Sequence, residues 1–584
     1  MLQGCRINRA EQNMINVEAA LTAKFPGFGS TPSLLRRPAM AWLRRIVHES
    51  EINSFLADNR DVCGLEWIDR VFDHLNFSYA VSARERANIP ATGKVVLFAN
   101  HPIGSLDGLA LLRLVGEVRR DVRIVANDLL QQFAPLQSLL IPVDTFGGGS
   151  AVRGYRRVLD ALEAGQAVIV FPAGEVSRAG PLGVRDSHWR PGFLHFARKS
   201  GAPLLPVLVQ ARNSLVFYGA SLLFKPLGTM LLSSEMFRQQ SRVISFRVGE
   251  PISAKRLYSD GLKDRTLVQR LRSHLYKLDR PYPMPAFETE RTIAHPEDRQ
   301  LLQQELRQGQ VLGETRDNNS IILMDWSPNS AVIREIGRLR EVAFRQVGEG
   351  TGKRRDLDRF DQHYQHLVLW DREALEIAGA YRIAEGAAVL RTLGEAGLYT
   401  STLYQYRPEF RAYLEQGIEL GRSFVNPRYW GKASLDYLWQ GLGAYLARRP
   451  EVRFLFGPVS VSADYPRPLV EELVFYFSTY HGSEQALVVA NQRFDLPPQR
   501  LAELKQRYEG IDRETGLTVL QNSFHVEGLR IPVLFKQYAA LFEVGGFKTL
   551  AFSIDPDFAD CIDGLCLTEL ALLKPAKRQR YLDK

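Results

Sequence analysis

The chain has 584 residues, 45% hydrophobic and 24% charged. These proportions exclude a disordered or collagenous chain, and the length exceeds one ordinary core, so two domains of roughly 250 residues each are expected. The net charge of +9 favours acidic partners such as phospholipid headgroups or an acidic carrier protein, and no Lys/Arg cluster is long enough to read as a nucleic-acid tail.

Cys5, Cys63, Cys561 and Cys566 form no CxxC pair and no Cys/His cluster. Reduced cytosolic thiols are expected, with no metal site. Residues 1–24 carry charges throughout and lack the apolar segment of a signal peptide. The most apolar stretch, 204–232, is interrupted by Arg212 and Lys225, short of the roughly 20 apolar residues that span a bilayer. A soluble or peripheral protein on the cytoplasmic side is expected.

In chain order, residues 1–60 read as helical. Within them 34–47 is basic and amphipathic, with Trp42, Leu43, Ile46 and Val47 sharing a face beside arginine pairs. That pattern suits an anionic membrane surface, and equally a helix packed on its own domain with its arginines solvated. From 61 to 285, apolar runs at 94–99, 122–126, 139–143, 166–171, 203–209 and 242–248 alternate with helical stretches. Such alternation predicts an α/β domain with a largely parallel sheet. Pro281, Pro283, Pro285 and Pro296, then the polar run 316–320, mark 286–320 as a linker. A second α/β domain is expected over 321–584, with strands near 366–370, 377–383, 418–425, 453–456 and 548–552.

Two segments carry chemistry in the first domain. Asn100-His101-Pro102-Ile103-Gly104-Ser105-Leu106-Asp107 follows an apolar strand. A histidine at a strand end with a nearby aspartate is a general-base arrangement: the imidazole takes a proton near neutral pH and the carboxylate fixes its tautomer. Phe171-Pro172-Ala173-Gly174-Glu175 follows a second strand, and Arg178 beyond it suits a phosphate or carboxylate. Gly147-Gly148-Gly149 is either a phosphate cradle at a helix N-terminus or a flexible connection.

These blocks resemble the glycerolipid acyltransferases, marked by NHxxxxD and FPEG. Here five residues rather than four separate His101 from Asp107, and Glu175 follows Gly174 instead of preceding it. A turn at Pro102 and Gly104 would absorb the extra residue. Pro203–Val207 and Val248–Ile252 resemble the family's later blocks, in the right order. The resemblance implies His101 as base, Asp107 as its orienter, and Asn100, Gly174, Glu175 and Arg178 as substrate contacts.

In the second domain, Arg428-Tyr429-Trp430-Gly431-Lys432-Ala433 fits the acyl-donor loop of the GNAT acyltransferases. It lies between a predicted strand and an amphipathic helix, where backbone N–H groups can meet a pantetheine phosphate. Arg345–Gly350 matches the same pattern but follows a helix, 333–344, and is set aside. Arg340-x-x-x-Phe344, the acidic series Asp356, Asp361 and Asp371, and Glu419-x-x-Arg422 resemble autoinducer-synthase-like N-acyltransferases. That resemblance implies Glu419 as base, Arg340 and Arg422 at the substrate, and Arg428, Gly431, Lys432 and Ala433 at the acyl donor.

Together the halves resemble bifunctional ornithine-lipid synthases. The resemblance implies N-acylation of ornithine by a 3-hydroxyacyl group, then O-acylation of the new hydroxyl. It further implies acyl carrier protein or coenzyme A as donor, no bound cofactor, and a peripheral location on the inner face of the bacterial inner membrane. Other readings are the same reactions on glycine or glutamine, a lysophospholipid acyltransferase with a lipid-binding C-terminal domain, and a non-enzymatic haemolysin-like protein.

Overall fold

The computed structural model describes residues 16–18, 33–127, 133–143, 149–180, 183–223, 232–257, 261–280 and 286–582. Gly147, Gly148, Pro281, Pro283 and Pro285 lie outside them, as does most of the stretch before Ser33. The chain divides into two compact units, 1–292 and 293–584. No described helix is long and apolar enough to cross a membrane.

The first unit is built on seven strands: β1 (Ser78–Ala80), β2 (Val95–Ala99), β3 (Val122–Asn127), β4 (Leu140–Val143), β5 (Ala167–Val170), β8 (Leu204–Gln210) and β9 (Val243–Val248). Their order is β1-β9-β8-β2-β5-β3-β4, parallel throughout except between β8 and β9. β6 (Arg178–Gly180) and β7 (Gly183–Arg185) form a small separate hairpin. Every residue of β2 is fully buried, as a central parallel strand requires when helices cover both faces. Leu97 and Ala99 pack on one side, Val96 and Phe98 on the other.

The N-terminal helix Ser33–Val47 buries Met40 and Leu43 against Val17, while Trp42 is 57% exposed. Trp42 therefore does not share the packed face of Leu43. The apolar stretch from Leu204 becomes strand β8 and then the helix Leu215–Leu223.

The second unit begins at Ile293, and the stretch expected as linker carries structure. Residues Arg299–Leu306 are helical and β10 (Gln310–Glu314) is the first strand of the second sheet. Its pairing with β11 (Asn319–Met324) explains the polar run between them, which is a hairpin turn with Asn318 at φ 59°. The sheet continues with β12 (Gln365–Asp371), β13 (Glu376–Glu385), β15 (Gly417–Val425), β16 (Phe454–Val461), β19 (Cys561–Glu569) and β18 (Phe547–Asp555). β14 (Tyr404–Tyr406) and β17 (Val488–Ala490) pair apart from it. The helices Ala331–Gln346 and Ser434–Leu446 cover opposite faces: Ile322, Val368 and Ala380 pack with the first, Ile321, Leu367 and Tyr381 with the second.

All pairs in this sheet are antiparallel but one. β15 and β16 run parallel and pair only over Gly417–Glu419 and Phe454–Phe456, then part. Along β13, the register advances from Ala380 to Arg382 while β15 moves from Phe424 to Gly421. This extra residue is a β-bulge, and Arg422 within it has φ 47°, a left-handed conformation that costs a non-glycine residue of order 1–3 kcal/mol. A narrow cleft opens where the strands separate, lined by Leu420, Arg422, Leu455, Gly457, Trp439 and Tyr538 among others.

Candidate active sites

His101 lies just past the carboxyl end of β2, flanked by the ends of β5 and β8. Open parallel sheets present their ligands at this edge. The turn before the helix Ser105–Val118 absorbs the fifth residue: Gly104 adopts φ 95°, and Asp107 falls in the first helical turn. There Asp107 is fully buried. One carboxylate oxygen accepts the N–H groups of Ile103 (2.9 Å) and Gly104 (3.3 Å), and the other lies 2.8 Å from His101 Nδ1. The helix N-terminus further favours the negative charge.

Other groups fix the imidazole. Its ring stacks on Phe171 at 4.0 Å between centroids. The His101 N–H donates to buried Asp186 (3.2 Å), which also accepts from Ser177 Oγ and Trp189 Nε1. Ser177 N–H in turn donates to His101 O (2.7 Å). Burial alone pulls the His101 pKa down, but Asp107, with Asp186 beyond it, outweighs burial and raises it above its ordinary value. Burial raises Asp186, against the three hydrogen bonds it accepts. Phe171 stands in the second motif, where the resemblance gives it no role; Asp186 has no motif, and nothing in its neighbourhood in sequence marks it.

Asn100 departs from its expected role at the substrate. It is buried, and its amide is engaged with both the N–H and the C=O of Val209. It therefore continues the β2–β8 pairing one residue further and sets the strand ends. Gly174 is exposed at φ 66° in a turn closed on Phe171 O. Glu175 and Arg178 stand 3.6 Å apart, half-buried in the same loop.

In the second unit, three arginines and three aspartates interlock beneath the bulge. Arg340 pairs with Asp361 (2.7 Å), Arg382 with Asp358 (2.6 Å) and Asp361 (3.4 Å), and Arg422 with Asp356 (3.1 Å). Burial opposes ionisation of Asp361, yet Arg340 and Arg382 hold it far below the usual carboxylate range. Burial and Arg340 push His366 down to about 3, so it is neutral. Arg340 is completely buried, which makes it a brace rather than the expected substrate contact. Arg422 sits at the cleft, its guanidinium between the rings of Tyr399 (4.6 Å) and Phe558 (4.5 Å). Asp371 stands apart from Asp356 and Asp361; it binds Tyr429 OH and caps the turn after β12.

Glu419, the expected base, is fully buried. It accepts the Tyr364 hydroxyl and the N–H groups of Tyr399 (3.1 Å) and Thr400 (2.7 Å). These contacts hold the Tyr399–Thr402 turn, and burial raises the Glu419 pKa against them. A second buried carboxylate is a candidate for the same role. Glu349 accepts from Ser460 Oγ on β16 (2.9 Å), and burial raises its pKa to about 7 despite Ser460 and Arg422. Glu349 lies in the Arg345–Gly350 stretch, whose glycine pattern points to a donor loop and carries no signal for its carboxylate.

The predicted donor loop does join β15 to the helix Ser434–Leu446. Arg428 is engaged with Glu376, Gly431 takes φ 75°, and Lys432 lies 4.9 Å over the Tyr429 ring. Ala433 caps that helix without a side-chain hydrogen bond, leaving its first amides open to an anion.

Residues 24–281 match the Acyltransferase family and residues 339–440 the Acetyltransferase (GNAT) domain. Glycine N(alpha)-acyltransferase of Bacteroides thetaiotaomicron is 32% identical over 305 residues, covering 50% of this chain and 89% of the relative. Lyso-glycine lipid O-acyltransferase of Phocaeicola vulgatus is 28% identical over 256 residues, 42% of this chain and 89% of the relative. L-ornithine N(alpha)-acyltransferase of Brucella abortus is 30% identical over 184 residues, 27% of this chain and 62% of the relative. The chain is thus an acyltransferase enzyme with an N-terminal acyltransferase domain and a C-terminal GNAT-like domain, and it belongs to the family of the Bacteroides glycine N(alpha)-acyltransferase.

Proposed function

We propose that this chain builds an acylated amino-acid lipid in two steps, N-acylation of ornithine with a 3-hydroxyacyl group in the second unit and O-acylation of the product in the first. The observation that carries the reading is the His101–Asp107 contact of 2.8 Å at the carboxyl edge of a parallel sheet, in a chain that also holds a GNAT-like cleft.

In the O-acylation step, His101 Nε2 accepts the proton of the lyso-lipid hydroxyl as its oxygen attacks the thioester carbonyl. Asp107 at Nδ1 holds the tautomer and stabilises the imidazolium. When the tetrahedral intermediate collapses, the C–S bond breaks and the imidazolium returns its proton to the leaving thiolate. Glu175 and Arg178, in the loop tied to His101 through Ser177, are placed to orient the polar part of the acceptor. The helix Leu215–Leu223 begins with Leu215 (88% exposed) and Val216 (58% exposed) beside exposed Arg212 and Arg238. Asn213 joins this segment to the catalytic loop by donating to Pro102 O. An apolar tip beside two arginines suits the surface of an anionic membrane, the inner face of the inner membrane in this reading.

In the N-acylation step, the acyl thioester enters the cleft between β15 and β16, its phosphate-bearing arm toward Gly431, Lys432 and Ala433. The acceptor ammonium gives a proton to Glu349, the free amine attacks the thioester carbon, and the C–N bond forms as the thiolate leaves with a proton. Acyl carrier protein as donor fits the basic net charge.

A second reading keeps both reactions with glycine as acceptor, because relatives named for glycine match about nine-tenths of their own length. Lipid extraction and mass spectrometry of cells expressing the full chain tests both. A diacylated ornithine lipid supports the first reading, its glycine counterpart the second, and neither lipid rejects both.

A further inference from the structure

The ion pairs under the bulge leave a second group of carboxylates with no cation of their own. Asp563 on β19 is paired across the sheet with Ser460 on β16 and Ser553 on β18, and Asp555 with Cys561 one step along. Side chains alternate along a strand, so Asp563, Cys561 and Asp555 share a face with Ser460. Glu349 reaches that face by its hydrogen bond from Ser460 Oγ. Asp555 accepts the Tyr399 hydroxyl (2.5 Å), and Tyr399 accepts from Arg422 at the cleft (3.1 Å).

Asp563 is the telling member. It is 4% exposed, and among the described residues its carboxylate has no hydrogen-bond donor and no ion pair. Its electrostatic neighbours are Asp555 and Glu349, which repel it, and Arg422, which Asp356 already engages. Burial and the two neighbouring carboxylates raise the Asp563 pKa well above its ordinary value, so the empty site keeps it protonated and a ligand that brings a positive charge is what ionises it. A group that brings both donors and positive charge to these carboxylates has the chemistry of an ammonium.

We infer that Asp563 and Asp555 form a subsite for a second ammonium group on the acceptor, beside the Glu349 position where the acylated amine sits. The acceptor is then a diamino acid, whose side-chain ammonium neutralises the cluster, and not glycine, which has nothing to place there. This inference rests on the N-acyltransferase reading of the second unit and names residues that no motif marks.

The test uses the purified full chain with 3-hydroxyacyl carrier protein and three acceptors: L-ornithine, L-norvaline (the same chain without the side-chain amine) and glycine. The subsite predicts kcat/KM for ornithine at least about tenfold above norvaline, a preference erased in Asp563→Asn. The variant's O-acylation stays unchanged and its Tm does not fall, because Asn replaces a carboxyl that is already neutral in the empty site. Equal use of ornithine and norvaline, preference for glycine, or discrimination that survives both Asp563→Asn and Asp555→Asn overturns the subsite while leaving the N-acyltransferase reading intact. Calorimetry with ornithine alone separates the two claims. Binding that Asp563→Asn abolishes, without acyl transfer to any amine, keeps the subsite and rejects the reaction. Absence of both binding and transfer overturns the subsite.

Discussion

The two candidate sites solve the same chemical problem with different amounts of charge. In the first unit, a largely buried His101 leans on Asp107 through its ring, with Asp186 on its backbone N–H and a phenyl ring stacked against it. In the second, three arginines and at least six carboxylates crowd beneath a strained bulge. A hydroxyl needs only a base as it attacks. An amine arrives protonated and charged, so its site must both attract the cation and discharge it. The sparse site therefore depends chiefly on the Asp107 contact, and the dense one on a balance of charges.

Removing the base of the sparse site has the largest expected effect. His101→Ala lowers O-acylation by roughly 10²–10⁴-fold and leaves N-acylation unchanged in an assay that scores each product separately. In the dense site, Glu349→Gln abolishes most N-acylation while O-acylation continues. In the native chain, N-acylation falls as pH drops below about 7, because the base must be ionised and the Glu349 pKa is about 7. A pH–rate profile for each product checks this.

Asp107→Asn sharpens the comparison. Loss of the carboxylate lowers the His101 pKa, so the acidic limb of O-acylation moves to lower pH even as the plateau rate falls. The limb of N-acylation does not move. Arg340→Ala tests whether the dense network is structural as well: breaking a fully buried ion pair costs about 3–5 kcal/mol, read by urea denaturation of the second unit's transition. The smallest effect is on Asn100→Ala, which leaves the Val209 N–H and C=O unpaired and costs about 1–3 kcal/mol with a misaligned His101.

A stability profile offers a further sign. A carboxyl raised by burial in the folded chain keeps its proton where the unfolded chain loses it, so the Glu349 contribution weakens stability as pH rises from about 4.5 to about 7. Glu349→Gln removes that slope.

Much of the first unit is legible in the sequence, because its strands are unbroken apolar runs and its dyad lies within seven residues. All six predicted strands recur within two residues of their expected ends. The short edge strand β1 and the β6–β7 hairpin carry too few residues for a pattern. β10 lies within the expected linker because a polar, largely exposed edge strand has no apolar alternation to betray it. In the second unit, the bulge at Arg422 is invisible: nothing in Gly421-Arg422-Ser423 announces a positive φ at an arginine. Asp555 and Asp563 lie more than 130 residues beyond Glu419, and only the pairing of β16, β18 and β19 brings them to one face with Glu349. Local motifs found the groups that neighbours in sequence position, while those that sheet register assembles escaped.

The central claim is that two acyl transfers, on nitrogen and on oxygen, are divided between the units, with His101 serving only the second. Lipid mass spectrometry of cells expressing His101→Ala tests it most directly. The account predicts accumulation of the mono-acylated amino-acid lipid with loss of the diacylated product. Normal diacylated lipid from that variant, or loss of both species from a variant that still folds, contradicts it.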